Sequence, residues 1–172
     1  DISDLAAIQP AFEGVDAVVH LAGMPSVQTP WDDIFNINIQ GTYNAYEASR
    51  IAGVKALVFA SSNHTIGGYE EEGMPSIYDL DDPRVYDETV ELRPDSLYGV
   101  SKVFGEAVGR YYQEYHGIRS YNLRIGSVMA HGNPRDPTIP NGSFWLDLTP
   151  EEKYRRVRAT WLSKRDAAGL IA

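Results

Sequence analysis

Tyr98 and Lys102 stand four residues apart in the run Asp95-Ser-Leu-Tyr-Gly-Val-Ser-Lys-Val-Phe-Gly-Glu106. On a helix they lie about 40° apart around the axis, so one face presents both. A phenol beside an ammonium can move protons, because positive charge favours the phenolate and draws the phenol pKa down towards working pH. That chemistry suits the oxidation of an alcohol. The spacing alone is weak: the chain has 11 Tyr, and Lys at positions 55, 102, 153 and 164, and an amphipathic helix whose Tyr packs and whose Lys is solvated would show it too. The reading therefore depends on what surrounds the pair.

Two apolar runs end in residues that could join them. Leu57-Val-Phe-Ala60 runs into Ser61, Ser62, Asn63 and His64. Ligands of open parallel sheets bind beyond the carboxyl ends of strands, which puts these polar groups where a substrate would sit, although Ser61 and Ser62 could simply cap the strand exit. The other run ends in His20-Leu-Ala-Gly23. Its small residues would let a flat cofactor approach the backbone, and Ser26 could reach the same cleft, while Gly23 and Pro25 would equally suit a plain turn. Asn38 is a poor helix former among apolar neighbours, and such a residue usually bonds something specific.

The elements that must position these groups alternate. A helix is expected over residues 4–12, a strand over 16–21 and a helix over 31–52 stopped by Gly53. A strand over 55–60, a helix over 96–116 stopped by Gly117 and a strand over 120–125 follow. This is the pattern of a parallel sheet covered on both faces. The acid-rich segment from Gly67 to Pro94 has little periodicity and reads as a solvated loop. Beyond it, Gly132, Pro134, Pro137, Pro140 and Gly142 break regular structure until Thr149 and Pro150 open another helix. Both ends are expected to be cut, since three strands would leave apolar faces uncovered and residues 166–172 stop within a helical pattern.

At 172 residues and 43% apolar content the chain has the length and core of a single domain. It has no Cys, which excludes disulfides and thiolate metal sites. His20, His64, His116 and His131 show no metal-ligand spacing, so no metal is expected. A net charge of -9 disfavours nucleic acid and anionic membranes. No apolar run has membrane-spanning length and no targeting peptide is visible, which makes the cytoplasm the default compartment. The sequons at Asn63 and Asn141 read as coincidences in such a chain.

Taken together, Asp1-Ile-Ser-Asp4, His20-Leu-Ala-Gly23, Asn38-Ile-Gln-Gly41, Phe59-Ala-Ser-Ser62, Tyr98-Gly-Val-Ser-Lys102 and Leu123-Arg-Ile-Gly126 resemble, in that order, an extended short-chain dehydrogenase/reductase of the NAD-dependent epimerase/dehydratase superfamily. The resemblance spans essentially the whole chain. It implies a Rossmann-type α/β fold, a doubly wound, three-layer parallel sheet here truncated at both ends, with residues 1–172 forming part of one NAD(P)-binding domain. It implies Tyr98 as catalytic base, Lys102 as the residue that depresses its pKa and holds the nicotinamide ribose, and Ser62 as the group fixing the reacting oxygen. Asp1 and Ile2 would touch adenine, Leu21, Ala22, Gly23 and Ile125 would line the cofactor, and Asn38 would support a water network at Lys102. The glycine-rich phosphate loop and the acidic residue that selects NAD over NADP would both precede or flank Asp1 and are missing, so NAD is expected, NADP stays open, and the fragment alone is expected to be inactive.

Within that superfamily Ser61-Ser-Asn-His-Thr-Ile-Gly67, Leu97-Tyr-Gly-Val-Ser-Lys-Val-Phe-Gly-Glu106, Arg124-Ile-Gly-Ser127 and Thr160-Trp-Leu-Ser163 are most similar to the uronate dehydrogenases, which oxidise C1 of a hexuronate to an aldarolactone. The resemblance implies a substrate pocket of Ser26, Ser62, Asn63, His64, Ser127 and Arg156, with Arg155 and Arg158 as alternatives to Arg156, and a homo-oligomer. The long acidic segment is also similar to that of archaeal NAD-dependent glucose-6-phosphate dehydrogenases. A nucleotide-sugar epimerase or dehydratase, and a non-catalytic dinucleotide-binding scaffold, are the remaining rivals.

Overall fold

Apolar runs that alternate with amphipathic helices can hide both in one way, with strands side by side and helices laid over them. The computed structural model describes residues 1–129 and 148–172, and it divides into two compact units. In the first, residues 1–68 and 91–125, strands β1 (Ala17–His20), β2 (Ala56–Ser62) and β3 (Arg119–Ile125) run parallel in the order β1-β2-β3. The register sets His20 beside Phe59 and Ser62 beside Ile125, which gathers the carboxyl ends of all three strands at one edge. Parallel neighbours cannot be joined by a tight turn, and long helical crossovers connect them.

Past an irregular loop over residues 21–30, the crossover from β1 to β2 is continuously helical. It comprises α2 (Trp31–Asp33), a π-helical stretch over Ile34–Gln40 and α3 (Gly41–Ala52). Before β1, α1 (Leu5–Ile8) is N-capped by Asp4 and runs on as a 3-10 turn to Phe12. The crossover into β3 ends in α5 (Leu97–His116), which follows the short α4 (Gly67–Gly73). Gly53 and Gly117, at φ 74° and 73°, adopt the left-handed conformation that closes α3 and α5 and that residues with a side chain rarely take. The Rossmann-type parallel arrangement and its helix stops thus match the sequence-based expectation.

Leu57 and Phe59 of β2 point to one face and pack with Tyr46 of α3, Tyr112 of α5 and Ile118. Tyr46 and Tyr112 stack with ring centroids 5.4 Å apart. A side chain at Gly105 would overlap the Phe59 ring, so the bare glycine sets how closely α5 approaches the sheet. Val19 and Tyr121 lie on the opposite face and are about half exposed.

The second unit, residues 69–90 and 126–172, holds most of α4, a 3-10 turn over Ser76–Tyr78, α6 (Pro150–Thr160) and α7 (Lys164–Ile171). In it β4 (Ser127–Met129) pairs parallel with β5 (Trp161–Ser163). Thr149 and Glu152 form a capping box at the start of α6, as the Thr-Pro signal predicts. The segment 67–94 departs from the solvated loop expected of it. Tyr78 is buried and donates a hydrogen bond to Glu70 at 2.6 Å. Arg156 clasps the same carboxylate at 2.7 and 3.3 Å. A pairing across 86 positions leaves no local periodicity in the sequence, yet it fastens the acidic segment to α6. The Pro- and Gly-rich stretch from Gly132 to Gly142, His131 and the sequon at Asn141 lie outside the described residues.

Candidate active site

The exit of β2 separates its two serines. Ser61 is buried and donates to Glu106 at 2.6 Å, and Glu106 in turn holds Arg124 through two 3.0 Å contacts, so Ser61 fastens α5 to the sheet. Ser62, also buried, accepts the His64 amide at 3.2 Å and caps the 3-10 turn Asn63–Thr65. Asn63 stands beside it, with Ser62 Oγ 3.4 Å from Asn63 Oδ1. Ser96 opens α5 by accepting the Gly99 amide. The absence of a side chain at Gly99 leaves room for the His64 carbonyl against the helix. The turn after β2 and the first turn of α5 are thereby locked together.

Over the first two turns of α5, Tyr98, Ser101 and Lys102 are all less than 10% exposed. Lys102 Nζ donates to the Ala60 carbonyl at 2.8 Å and lies 5.5 Å from the centre of the Tyr98 ring. Ala60 O is its hydrogen-bond partner among the described residues, and an ammonium has three donors, so two N–H groups are available to a ligand. Burial pulls the Lys102 pKa down to about 8. Burial also pushes the Tyr98 phenol above its ordinary value. The hydrogen bond with Ser62 works in the opposite direction, and the Asp95 charge adds to the rise. The net direction is upward, opposite to the depression by Lys102 expected from the sequence, and desolvation is its largest cause.

At the exit of β1, Asn38 accepts the Met24 amide at 2.7 Å and donates to the Met24 carbonyl and to Ser101 Oγ, each at 3.1 Å. Its amide therefore ties the loop after β1 to α5, which explains a polar residue in a π-helical stretch among apolar neighbours. A Cβ at Gly23 would stand 3.3 Å from Asn38 Oδ1 and 3.7 Å from Lys102 Nζ, so the glycine, Asn38 and Lys102 come together. Leu21 and Ala22 are exposed beside them. His20 is buried against Phe59, meets Thr42 Oγ1 at 3.1 Å, and has its pKa lowered to about 4 by burial and then by the Lys102 charge.

The other predicted residues are more scattered. Asp1 bonds the amide and hydroxyl of Ser3, and Ile2 packs on Gly41 while its carbonyl accepts Asn44. Ile125 ends β3 opposite Ser62. Ser26 is exposed and accepts the Gln28 amide. Ser127 and Arg156 belong to the second unit, where Ser127 meets Thr160 at 3.0 Å and Arg156 holds Glu70. The first unit thus assembles Ser62, Asn63, His64, Tyr98, Lys102, Gly23 and Asn38. It adds Asp95, 2.6 Å from His64, which sequence reasoning missed although it opens the run that carries Tyr98. Among the described residues no three His, Asp or Glu cluster as metal ligands would, and no helix is long and apolar enough to cross a membrane.

Buried donors, a small-residue strand exit and a phenol gather at the carboxyl edge of a parallel sheet, where open α/β sheets hold their ligands. Comparison with known proteins agrees with that architecture. The L-arabinose 1-dehydrogenase (NAD(P)(+)) of Haloferax volcanii is 42% identical over 96% of this chain and 62% of its own length. The NAD-dependent glucose-6-phosphate dehydrogenase of the same organism is 39% identical over 99% of this chain and 59% of its own. The chain therefore spans about 60% of the length of these relatives. The crystal structure of a glucuronic acid dehydrogenase from Chromohalobacter salexigens superposes with a TM-score of 0.75 at 37% identity, over 99% of this chain and 52% of that one. Residues 1–144 match the NAD dependent epimerase/dehydratase family, and with relatives this similar along almost all of its length the chain belongs to that family.

Proposed function

We propose that the protein is an NAD-dependent sugar dehydrogenase that oxidises the anomeric carbon of a hexuronate to an aldarolactone. The observation that carries this reading is the convergence of Ser62, Tyr98 and Lys102 at the carboxyl edge of the sheet. Bound NAD supplies the hydride acceptor. Ser62 donates to the reacting oxygen and orients it, and Tyr98, once ionised, takes the proton of the anomeric hydroxyl. Lys102 holds the cofactor ribose with its two remaining N–H donors and keeps a positive charge beside the phenol. Gly23 admits the cofactor to the backbone, and Asn38 keeps the loop after β1 in place. Leu21, Ala22 and Ile125 would flank it, with Asp1 and Ile2 towards the adenine.

The similarity to a glucuronic acid dehydrogenase over 99% of the chain supports a hexuronate. A second reading, a neutral aldose, is favoured by the pairing of Arg156 with Glu70, which already supplies that guanidinium with a carboxylate. The experiment is NAD reduction by the full-length protein offered free glucuronate, galacturonate, L-arabinose, glucose 6-phosphate or a nucleotide sugar. The proposal expects the highest kcat/KM with a uronate. A higher value with L-arabinose would transfer the assignment to neutral aldoses, one with glucose 6-phosphate would transfer it to sugar phosphates, and no NADH from any free sugar would overturn the dehydrogenase reading.

A further inference from the structure

Asp95 lies in the short loop before α5 with its side chain only 3% exposed. Each of its oxygens accepts one hydrogen bond. Oδ1 receives the Ser96 hydroxyl at 2.8 Å, and Oδ2 faces His64 Nδ1 at 2.6 Å. Space for this carboxylate is made by Gly67, where any Cβ would overlap Asp95 Oδ2. His64 is also held by its own backbone, through its amide on Ser62 Oγ and its carbonyl against Gly99. Its ring stands edge-on to Tyr98 with centroids 5.6 Å apart. Among the described residues Nε2 has no hydrogen-bond partner, and the side chain keeps 21% of its exposure.

A carboxylate accepts and does not donate, so Nδ1 must carry the proton in this pair. The nitrogen whose proton is then free to vary is Nε2. We propose that Asp95 is a positioning residue: it holds His64 as the Nδ1–H form beside Tyr98, so that Nε2 is the nitrogen offered to a hydroxyl of the sugar. The part played by the sugar rests on the dehydrogenase reading above, whereas the tautomer does not.

The ring 15N spectrum of the full-length protein tests the tautomer without reference to turnover. The expected result is His64 protonated at Nδ1 in the wild type. A wild-type spectrum with Nδ1 unprotonated would overturn the proposal whatever the variants do. In Asp95→Leu, which removes both acceptors, the Nδ1–H signature should be lost. The second arm is a double-mutant cycle on NAD reduction by the best sugar. Asp95→Leu should lower kcat/KM at least about 10-fold, the scale on which carboxylates that orient a working imidazole act. His64→Ala should lower it as much or more, and the double variant should be no slower than His64→Ala alone, because the loss from removing Asp95 passes through His64 while its direct charge effect on Tyr98 only favours the phenolate. Losses that simply multiply would show that Asp95 does not act through the imidazole. If no sugar is oxidised by the wild type, the dehydrogenase reading fails while the spectrum still decides the tautomer.

Discussion

A phenol can serve as a base only when something stabilises its anion, and the surroundings of Tyr98 divide on this point. Burial and the Asp95 carboxylate hold the proton on, while Ser62 helps to take it off. Lys102 lies 5.5 Å from the ring centre, and a pKa of about 8 leaves it mostly charged near neutrality. If Tyr98 is the base, Tyr98→Phe should lower kcat at least about 100-fold with the fold unchanged by circular dichroism. Turnover close to wild type in that variant would sink the mechanism. The four-residue Tyr98–Lys102 spacing is a local fact visible in the sequence, and it gains weight only from the ordered motifs around it. The immediate neighbours of the pair are less legible. Ser61 and Ser62 are indistinguishable by type; the resemblance singles out Ser62, and the fold gives the physical reason by sending Ser61 to Glu106 and Ser62 to Tyr98. Asp95 escaped notice because its partner, His64, lies 31 positions away.

At the scale of elements, legibility follows the range of the forces involved. The three strands and the long helices of the first unit are marked by apolar runs, the N-cap serine of α5 and stop glycines, all of which act within a few residues. β4, β5 and the helix at 67–73 carry no such marks: the two strands have three residues each, and the acidic segment is ordered by Arg156 from far along the chain. α5 also shows how packing overrides local preference. Gly105 sits mid-helix, where alanine would gain roughly 1 kcal/mol in propensity. Its Cβ would overlap the Phe59 ring in the best-packed part of the core, and forcing atoms into such a core costs about 1–3 kcal/mol. Gly105→Ala should therefore lower stability, and Gly105→Val should lower it further, both read from urea denaturation midpoints. A stabilised Gly105→Ala would mean that α5 can move away from the sheet at little cost.

For the molecule as a whole, two opposing effects govern stability as pH falls. With a net charge of -9 at neutrality and an isoelectric point near 4.8, acidification first relieves self-repulsion and favours the folded state. His20 opposes it. Buried against Phe59 and facing the Lys102 charge, it titrates near 4 when folded against 6.5 when unfolded. Between those values the unfolded chain binds a proton that the folded one refuses, so stability rises with pH across this window and is lost as pH falls from 6.5 towards 4. The full shift corresponds to roughly 3 kcal/mol. Self-repulsion involves every other carboxylate equally in wild type and variant, so comparing the two isolates the imidazole. His20→Gln keeps a polar group near Thr42 Oγ1 but cannot take up the proton. Denaturation free energies measured from pH 7 to pH 4 should show the variant gaining on the wild type by roughly 3 kcal/mol over that range. Curves that stay parallel would place His20 in a wetter setting than its 4% exposure describes, and the close packing of β1 against α3 and Lys102 would have to be revised with it.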